Sequence, residues 1–369
     1  MILRRLMLAR DFSRYLNPGL VAFLVLAPLS TLWSIARPNT VGQSVTFATF
    51  VISCFAFGLA SWHPRRFQRV ALPPLMVIMV GSLALGVVRP DLVIEQGTTI
   101  SLAGAWHGLT HGKNELGILA STAVILCMHA WISREGRWAW AILGTATALT
   151  CLILSKSNTS MFATGVAVLS MLLLLRVPVT KDRYTTIVVA LSGLLIGYEL
   201  IIQNVIPGLG VLLEPITSLT GKGTDFSGRS VIWGVIKDHI ALNPFFGGGY
   251  GAYWIGPTPE SPSYIFLELM GQFYPSESHN GYLEVLNDLG VAGFVCLVVF
   301  LFSFIRQSLK LMRADRNQAT LFLALLFQQL VLNMSESVWF TSSDMFAIFG
   351  FAAVMLSRAR FDTELRGKG

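Results

Sequence analysis

Charge is what this sequence has least of. Asp, Glu, Lys and Arg make up 13% of its 369 residues, against roughly 25% in an ordinary soluble domain. That scarcity excludes a soluble globular protein, a disordered chain and a coiled coil. Cysteine is also scarce. Cys54, Cys127, Cys151 and Cys296 lie singly inside apolar runs, without CxxC or His-rich spacing. This excludes a disulfide scaffold and the usual cysteine metal or redox centres, so the four read as small hydrophobes. A continuous basic face is missing as well. The formal charge is +7, yet the basic residues come in short clusters between apolar segments. They read as topology signals, and nucleic acid is not an expected partner.

What is present is apolar sequence: 53% hydrophobic residues and a mean hydropathy of +0.63. Ten segments are long enough to cross a bilayer as helices: about 18–36, 41–60, 70–88, 114–132, 138–155, 159–175, 184–203, 281–305, 318–335 and 342–357. With a cytoplasmic N-terminus, the inside connections and tails hold 20 of the 27 Lys and Arg residues, and the outside ones hold 7. This asymmetry predicts ten spans with both termini cytoplasmic. The first segment is expected to be a retained helix and not a signal peptide, from its length, Pro28, Trp33 and its place in the charge alternation. The expected organisation is seven transmembrane helices in residues 1–203, a large external loop with short helices over 204–280, and three more helices with a cytoplasmic tail over 281–369. A loop of about 77 residues far exceeds ordinary helix connections, and such loops are usually functional.

Within it, a helix is expected to open near Arg229 and run to Leu242, with Asp225, Ser227 or Gly228 as its cap and Asn243-Pro244 as its stop. Trp233, Ile236 and Ile240 fall on one face. Arg229 beside a helix start suits a diphosphate, since a planar fork of donors adds to free backbone N–H groups. The plainer alternative pairs it with Asp225 or a lipid headgroup. The run Phe245 to Trp254 is glycine-rich but lacks the Lys-Ser/Thr of a P-loop, which favours a tight turn over nucleotide binding. Its Tyr253 and Trp254 are candidates for stacking on a sugar.

His279 falls at the external interface, where a near-neutral imidazole suits proton abstraction from a hydroxyl; an ordinary polar role is the bland reading. Glu284 and Asp288 follow it, four apart, and Glu199 and Glu336 lie near the external ends of their spans. Ionisable groups at such depth are expensive unless paired or functional. The candidate counter-charges are Lys113, Lys156 and Arg229. Lys156 sits in a Ser/Thr/Asn-rich break between spans and reads either as an anion contact or as part of a plain hairpin turn.

Several ordered motifs carry a family resemblance: Leu32 to Pro38, Trp106-His107-Gly108, His111 to Gly117, Ser155 to Ser160, Gly228 to Trp233 with Asn243-Pro244 and the glycine run, Ser278 to Glu284, and Asn333 to Trp339. In this order the chain resembles the O-antigen ligase and exopolysaccharide polymerase superfamily of bacterial inner-membrane glycosyltransferases. The resemblance implies a GT-C-like membrane fold with its active site on the periplasmic face. It also implies an undecaprenyl-diphosphate-linked glycan as donor, and a lipid-linked repeat or lipid A core as acceptor. The transfer it implies is inverting, with no metal and no cofactor. Arg229 matches the arginine that holds the diphosphate, and His279 the histidine taken as general base. The physical logic of the step adds Glu284, in the first turn of the following span, as the group expected to orient His279. Lys156 stands where many ligases carry a second arginine; with Lys113 it fits the polymerase branch better. Asn280 joins Tyr253 and Trp254 as a glycan contact, and other polysaccharide assembly proteins are candidate partners. Members often have more spans than the ten counted, so N-terminal helices are expected to be missing.

Within this class the acceptor is open between polymerase, ligase and protein O-glycosyltransferase, and the reading leans toward polymerase. The competing classes are a transporter for a lipid-linked glycan or anionic solute, and a structural envelope subunit. A transporter would place charges near the middle of several spans, with paired broken helices.

Overall fold

The computed structural model describes residues 2–60, 66–95, 104–134, 138–176, 181–202, 229–270 and 274–366. Its helices are α1 (Ile2–Ser13), α2 (Pro18–Leu29), α3 (Arg37–Ala60), α4 (Arg66–Val88), α5 (Lys113–Ile132), α6 (Trp138–Leu154), α7 (Asn158–Arg176), α8 (Lys181–Ile202), α9 (Arg229–Leu242), α10 (Ile265–Leu269), α11 (Gly281–Leu311), α12 (Arg316–Leu332) and α13 (Asp344–Arg366). Among the described residues the extended structure is one isolated antiparallel bridge between Ile94 and Trp106. An apolar chain in lipid has to satisfy its backbone internally, and helices do so segment by segment.

Each of the ten expected segments carries a helix. By length and apolarity five of them can cross a membrane, Arg37–Ala60, Phe67–Val88, Lys113–Ile132, Asn158–Arg176 and Gly281–Leu311. A sixth would be the pair Met7–Ser13 and Pro18–Leu32, bent by 96° at its break. The chain is an all-helical polytopic membrane protein, with five or six such spans among its described residues where ten were expected. The shortfall has local causes. The α-helix of the first expected segment stops at Leu29, one residue after Pro28, and gives way to a short 3-10 turn over Ser30–Leu32. The helix α12 ends at Leu332, where the Asn333 side chain accepts the Val338 and Trp339 N–H groups and turns the chain.

Packing fixes two ends of the bundle. At one end Tyr15 donates to Glu364 at 2.6 Å, Arg316 donates to the Leu174 carbonyl at 2.6 Å, and His129 meets the Asn317 carbonyl at 2.8 Å. At the other, the Trp106 N–H donates to the Leu154 carbonyl and Ser335 donates to Thr159. Connections that the charge pattern sets on opposite sides thus lie at opposite ends. Between them α5 is buried against α6, α7 and α12. Gln328 of α12 donates to Ser121 and Thr122 of α5, and Thr164 of α7 donates to Ser121. Such small polar groups join helices in an apolar medium. Phe23, Phe47, Phe300 and Phe340 form an aromatic core, with Phe23 and Phe340 stacked at 4.0 Å.

The segment after α9 docks on a break in α11. Gly290 adopts φ 58°, ψ −154° inside that helix, and this frees backbone groups on both sides. The Gly248 and Gly249 N–H groups donate to the Asn287 and Asp288 carbonyls, while Val291 and Ala292 N–H donate to the Pro244 and Phe245 carbonyls. The glycine run is therefore a structural turn, as its sequence favoured, and it satisfies the broken helix. A Cβ at Gly290 would lie 2.5 Å from the Phe245 carbonyl carbon. Gly290→Ala is expected to destabilise the protein by about 1–3 kcal/mol through overpacking and strain in a positive-φ region that is essentially reserved for glycine. A thermal unfolding midpoint in detergent equal to that of the unsubstituted protein would contradict this docking.

The expected loop helix is present as α9. Trp233 and Ile236 are buried and pack with Tyr253, Phe266 and Leu283 in a small core of their own, and Ile240 packs against it. The candidate caps Asp225, Ser227 and Gly228 lie outside the described residues, as does most of the segment before Arg229.

Candidate functional site

Five pieces of chain meet at the end of the bundle that holds the loop. The start of α5 brings Lys113 and Asn114, the α6–α7 turn brings Lys156, and the start of α9 brings Arg229. The strand of chain before α11 brings Glu277 and His279, and the turn after α12 brings Glu336. Glu336 is the hub. Its Oε1 accepts from Asn114 Nδ2 at 2.8 Å and from Arg229 at 3.1 Å, and its Oε2 lies 3.6 Å from His279 Nδ1. Glu277 Oε1 sits 2.8 Å from the same imidazole nitrogen. Lys113 lies within electrostatic reach of Glu95, Glu336, Arg229 and Lys156. The structure thus brings together Arg229, His279, Lys113 and Lys156.

Burial and charge set the protonation of the pair. Burial works against a charged imidazole at His279, but Glu277 and Glu336 outweigh it and raise its pKa to about 9. Burial pushes the Glu277 carboxyl up to about 7, with His279 pulling the other way. Between about pH 7 and 9 the pair is an ion pair. The imidazole side chain remains 24% exposed, enough for contact with a ligand. Glu277, His279 and Glu336 also offer three donor atoms within 4.8 Å of one another, a spacing compatible with a metal ion. Arg229 and Asn114 already direct hydrogens at Glu336, and we read the trio as an ion-pair network.

Two of these residues hold strained backbone. Both His279 and Lys156 have φ of +51°, a left-handed conformation that costs a non-glycine residue of the order of 1–3 kcal/mol and gathers at functional sites. The His279 turn is pinned from below. Glu284 accepts from the Ser278 N–H at 2.9 Å, from Trp254 Nε1 at 2.8 Å and from Ser337 at 3.3 Å.

That arrangement gives four of the expected site residues structural partners. Glu284 holds the Ser278 backbone where it was expected to orient the imidazole; the carboxylates recorded against the His279 ring are those of Glu277 and Glu336. Asn280 is fully buried and caps α11, its side-chain oxygen accepting from the Tyr282 and Leu283 N–H groups at 3.0 Å each. Tyr253 is 3% exposed in the loop core, closed to a sugar ring. Trp254 stacks on Phe266 at 5.4 Å and gives its N–H to Glu284. Asp288 turns to the glycine run, accepting from the Gly251 N–H at 2.9 Å. Glu199 lies in α8, but its side chain is outside those described.

Sequence reasoning assigned no role to Asn114 or Glu277. Glu277 stands two residues before His279, and Glu336 stood out as an acid at the end of an apolar segment. These were signals, but neither gives a partner without distances.

Comparison with known proteins bears on this cluster. Residues 143–298 match the sequence profile of the O-antigen ligase family, a stretch that contains Lys156, Arg229, Glu277 and His279. The chain is also similar to the exopolysaccharide production protein ExoQ of Rhizobium meliloti (strain 1021), at 25% identity over 325 residues, covering 86% of this chain and 72% of that protein. Profile and relative agree in kind with the resemblance that the ordered motifs carry: the chain is similar to the O-antigen ligase family over residues 143–298 and to an exopolysaccharide production protein over most of its length.

Proposed function

We propose that the protein is a metal-independent, inverting glycosyltransferase. It moves a glycan from an undecaprenyl-diphosphate donor to a sugar hydroxyl at the periplasmic face of the bacterial inner membrane, with both termini cytoplasmic. The similarity to the O-antigen ligase family and to ExoQ supports activity of the O-antigen ligase or exopolysaccharide polymerase type. The observation that carries the finer reading is the shared carboxylate of Glu336, which sets Arg229 and His279 side by side with Lys113 and Lys156 in reach. ExoQ, named for exopolysaccharide production, favours the polymerase subclass, in which the acceptor is another lipid-linked repeat. Transfer to lipid A core is the ligase alternative.

The chemistry is a single displacement. The acceptor oxygen attacks the anomeric carbon, the carbon–oxygen bond to the diphosphate breaks, and the diphosphate leaves with the bonding electrons. The hydroxyl proton passes to His279 in its neutral form, whose Nδ1 rests against Glu277. Arg229, with Lys113 and Lys156, compensates the charge growing on the leaving group, the largest electrostatic demand of such a step. Attack opposite the leaving group inverts the anomeric centre. Glu284 is a positioning residue, acting on His279 through Ser278.

Addition of a divalent-ion chelator to the reconstituted protein is expected to leave the rate of glycan transfer unchanged. A loss of activity restored by added magnesium or manganese would overturn the metal-independent mechanism.

A further inference from the structure

The Arg229–Glu336 contact carries a consequence for donor binding, one that rests on the reading of Arg229 as a diphosphate ligand. The Glu336 side chain is 6% exposed and the Arg229 side chain 18%, so neither charge is neutralised by open water. The same Glu336 oxygen accepts from Asn114 at 2.8 Å and Arg229 at 3.1 Å, and Lys113 lies within reach. A carboxylate oxygen that accepts from an amide and a guanidinium, with an ammonium within electrostatic reach, occupies the kind of position a phosphate oxygen takes, since the same donors serve both anions.

We infer that Glu336 is a stand-in for the donor: its carboxylate holds Arg229 and Asn114 in the donor-free protein, and the incoming prenyl-linked diphosphate displaces it from Arg229. Glu336 is a positioning residue in this scheme. It keeps the cationic groups gathered while the site is empty, and it competes with the ligand for them. The turn that carries it is held independently of its carboxylate. The Asn333 side chain accepts the Val338 and Trp339 N–H groups at 2.9 and 2.8 Å, Ser335 donates to Thr159 at 2.7 Å, and Ser337 meets Ser278 at 3.0 Å. Removing the Glu336 charge therefore leaves the turn's own supports in place. The 3.6 Å approach of its second oxygen to His279 keeps the displaced carboxylate beside the imidazole.

The test is a binding cycle on the full chain in detergent with farnesyl diphosphate, a short prenyl diphosphate, as probe. Glu336→Gln is expected to bind the probe on the order of tenfold more tightly, the size of one hydrogen bond to a charged group. Arg229→Ala is expected to bind it more weakly, and in the double variant the gain from Glu336→Gln is expected to vanish, because the competition is for Arg229. Glu336→Asp, whose shorter side chain draws the carboxylate back from Arg229, is expected to show a smaller gain of the same sign. It serves as the readout if the glutamine variant fails to fold, as judged by its unfolding midpoint. A purely structural role for Glu336 would not make a gain in affinity depend on Arg229. Unchanged or weaker binding in Glu336→Gln or its aspartate counterpart, with Arg229→Ala weakened, overturns this inference alone. Binding by Arg229→Ala equal to that of the unsubstituted protein overturns the diphosphate reading beneath it.

Discussion

Replacing His279 by alanine is expected to abolish glycan transfer while leaving donor binding largely intact. A positioned general base contributes typically 10²- to 10⁴-fold to such a step, and no second imidazole is recorded against Glu277 or Glu336 among the described residues. The effect is read from initial rates of transfer beside the binding of a prenyl diphosphate, and full activity in the variant removes His279 as the base. The pH dependence carries a sign. Two carboxylates raise the imidazole pKa to about 9, so below that value most of the protein holds the protonated form, which accepts no proton. Turnover is expected to climb by roughly tenfold per pH unit as the neutral fraction grows, and to level off above about 9. A flat or falling profile over the same range would assign the charged imidazole a purely electrostatic role.

Arg229→Ala is expected to weaken donor binding by roughly ten- to a hundredfold, the range for a lost hydrogen bond to a charged group. The diphosphate forfeits a forked donor that a lysine cannot reproduce. Donor affinity is the measure that isolates Arg229, and an unchanged value sinks its assignment.

The helices were legible because their signal is local. Twenty apolar residues in a row read as a helix wherever they fall, and the alternating basic clusters sorted the connections into the two ends that the packing displays. The break in α11 was not legible, since Gly290 stands in an apolar run that continues on both sides. It becomes intelligible only when the glycine run is seen supplying the missing hydrogen bonds. The same holds within the site. His279 and Arg229 stood out by residue type and motif, but the pairing of His279 with Glu277 follows from a left-handed turn that sequence spacing does not encode. The partners of Asn280 and Glu284 were equally hidden: buried polar side chains beside a candidate base look like ligands in sequence, and here one caps a helix and the other anchors a loop. Among the described residues the charged groups of the candidate site gather at one end of the bundle, which fits transfer at a membrane face better than transport.

The most direct measurement is a product analysis with the purified protein in liposomes, supplied with an undecaprenyl-diphosphate-linked repeat unit as both donor and acceptor. The expected result is a ladder of longer lipid-linked glycans that is absent with His279→Ala. A glycan that stays unextended here, and untransferred when lipid A core is added as acceptor, would contradict glycan transfer as the function of this protein.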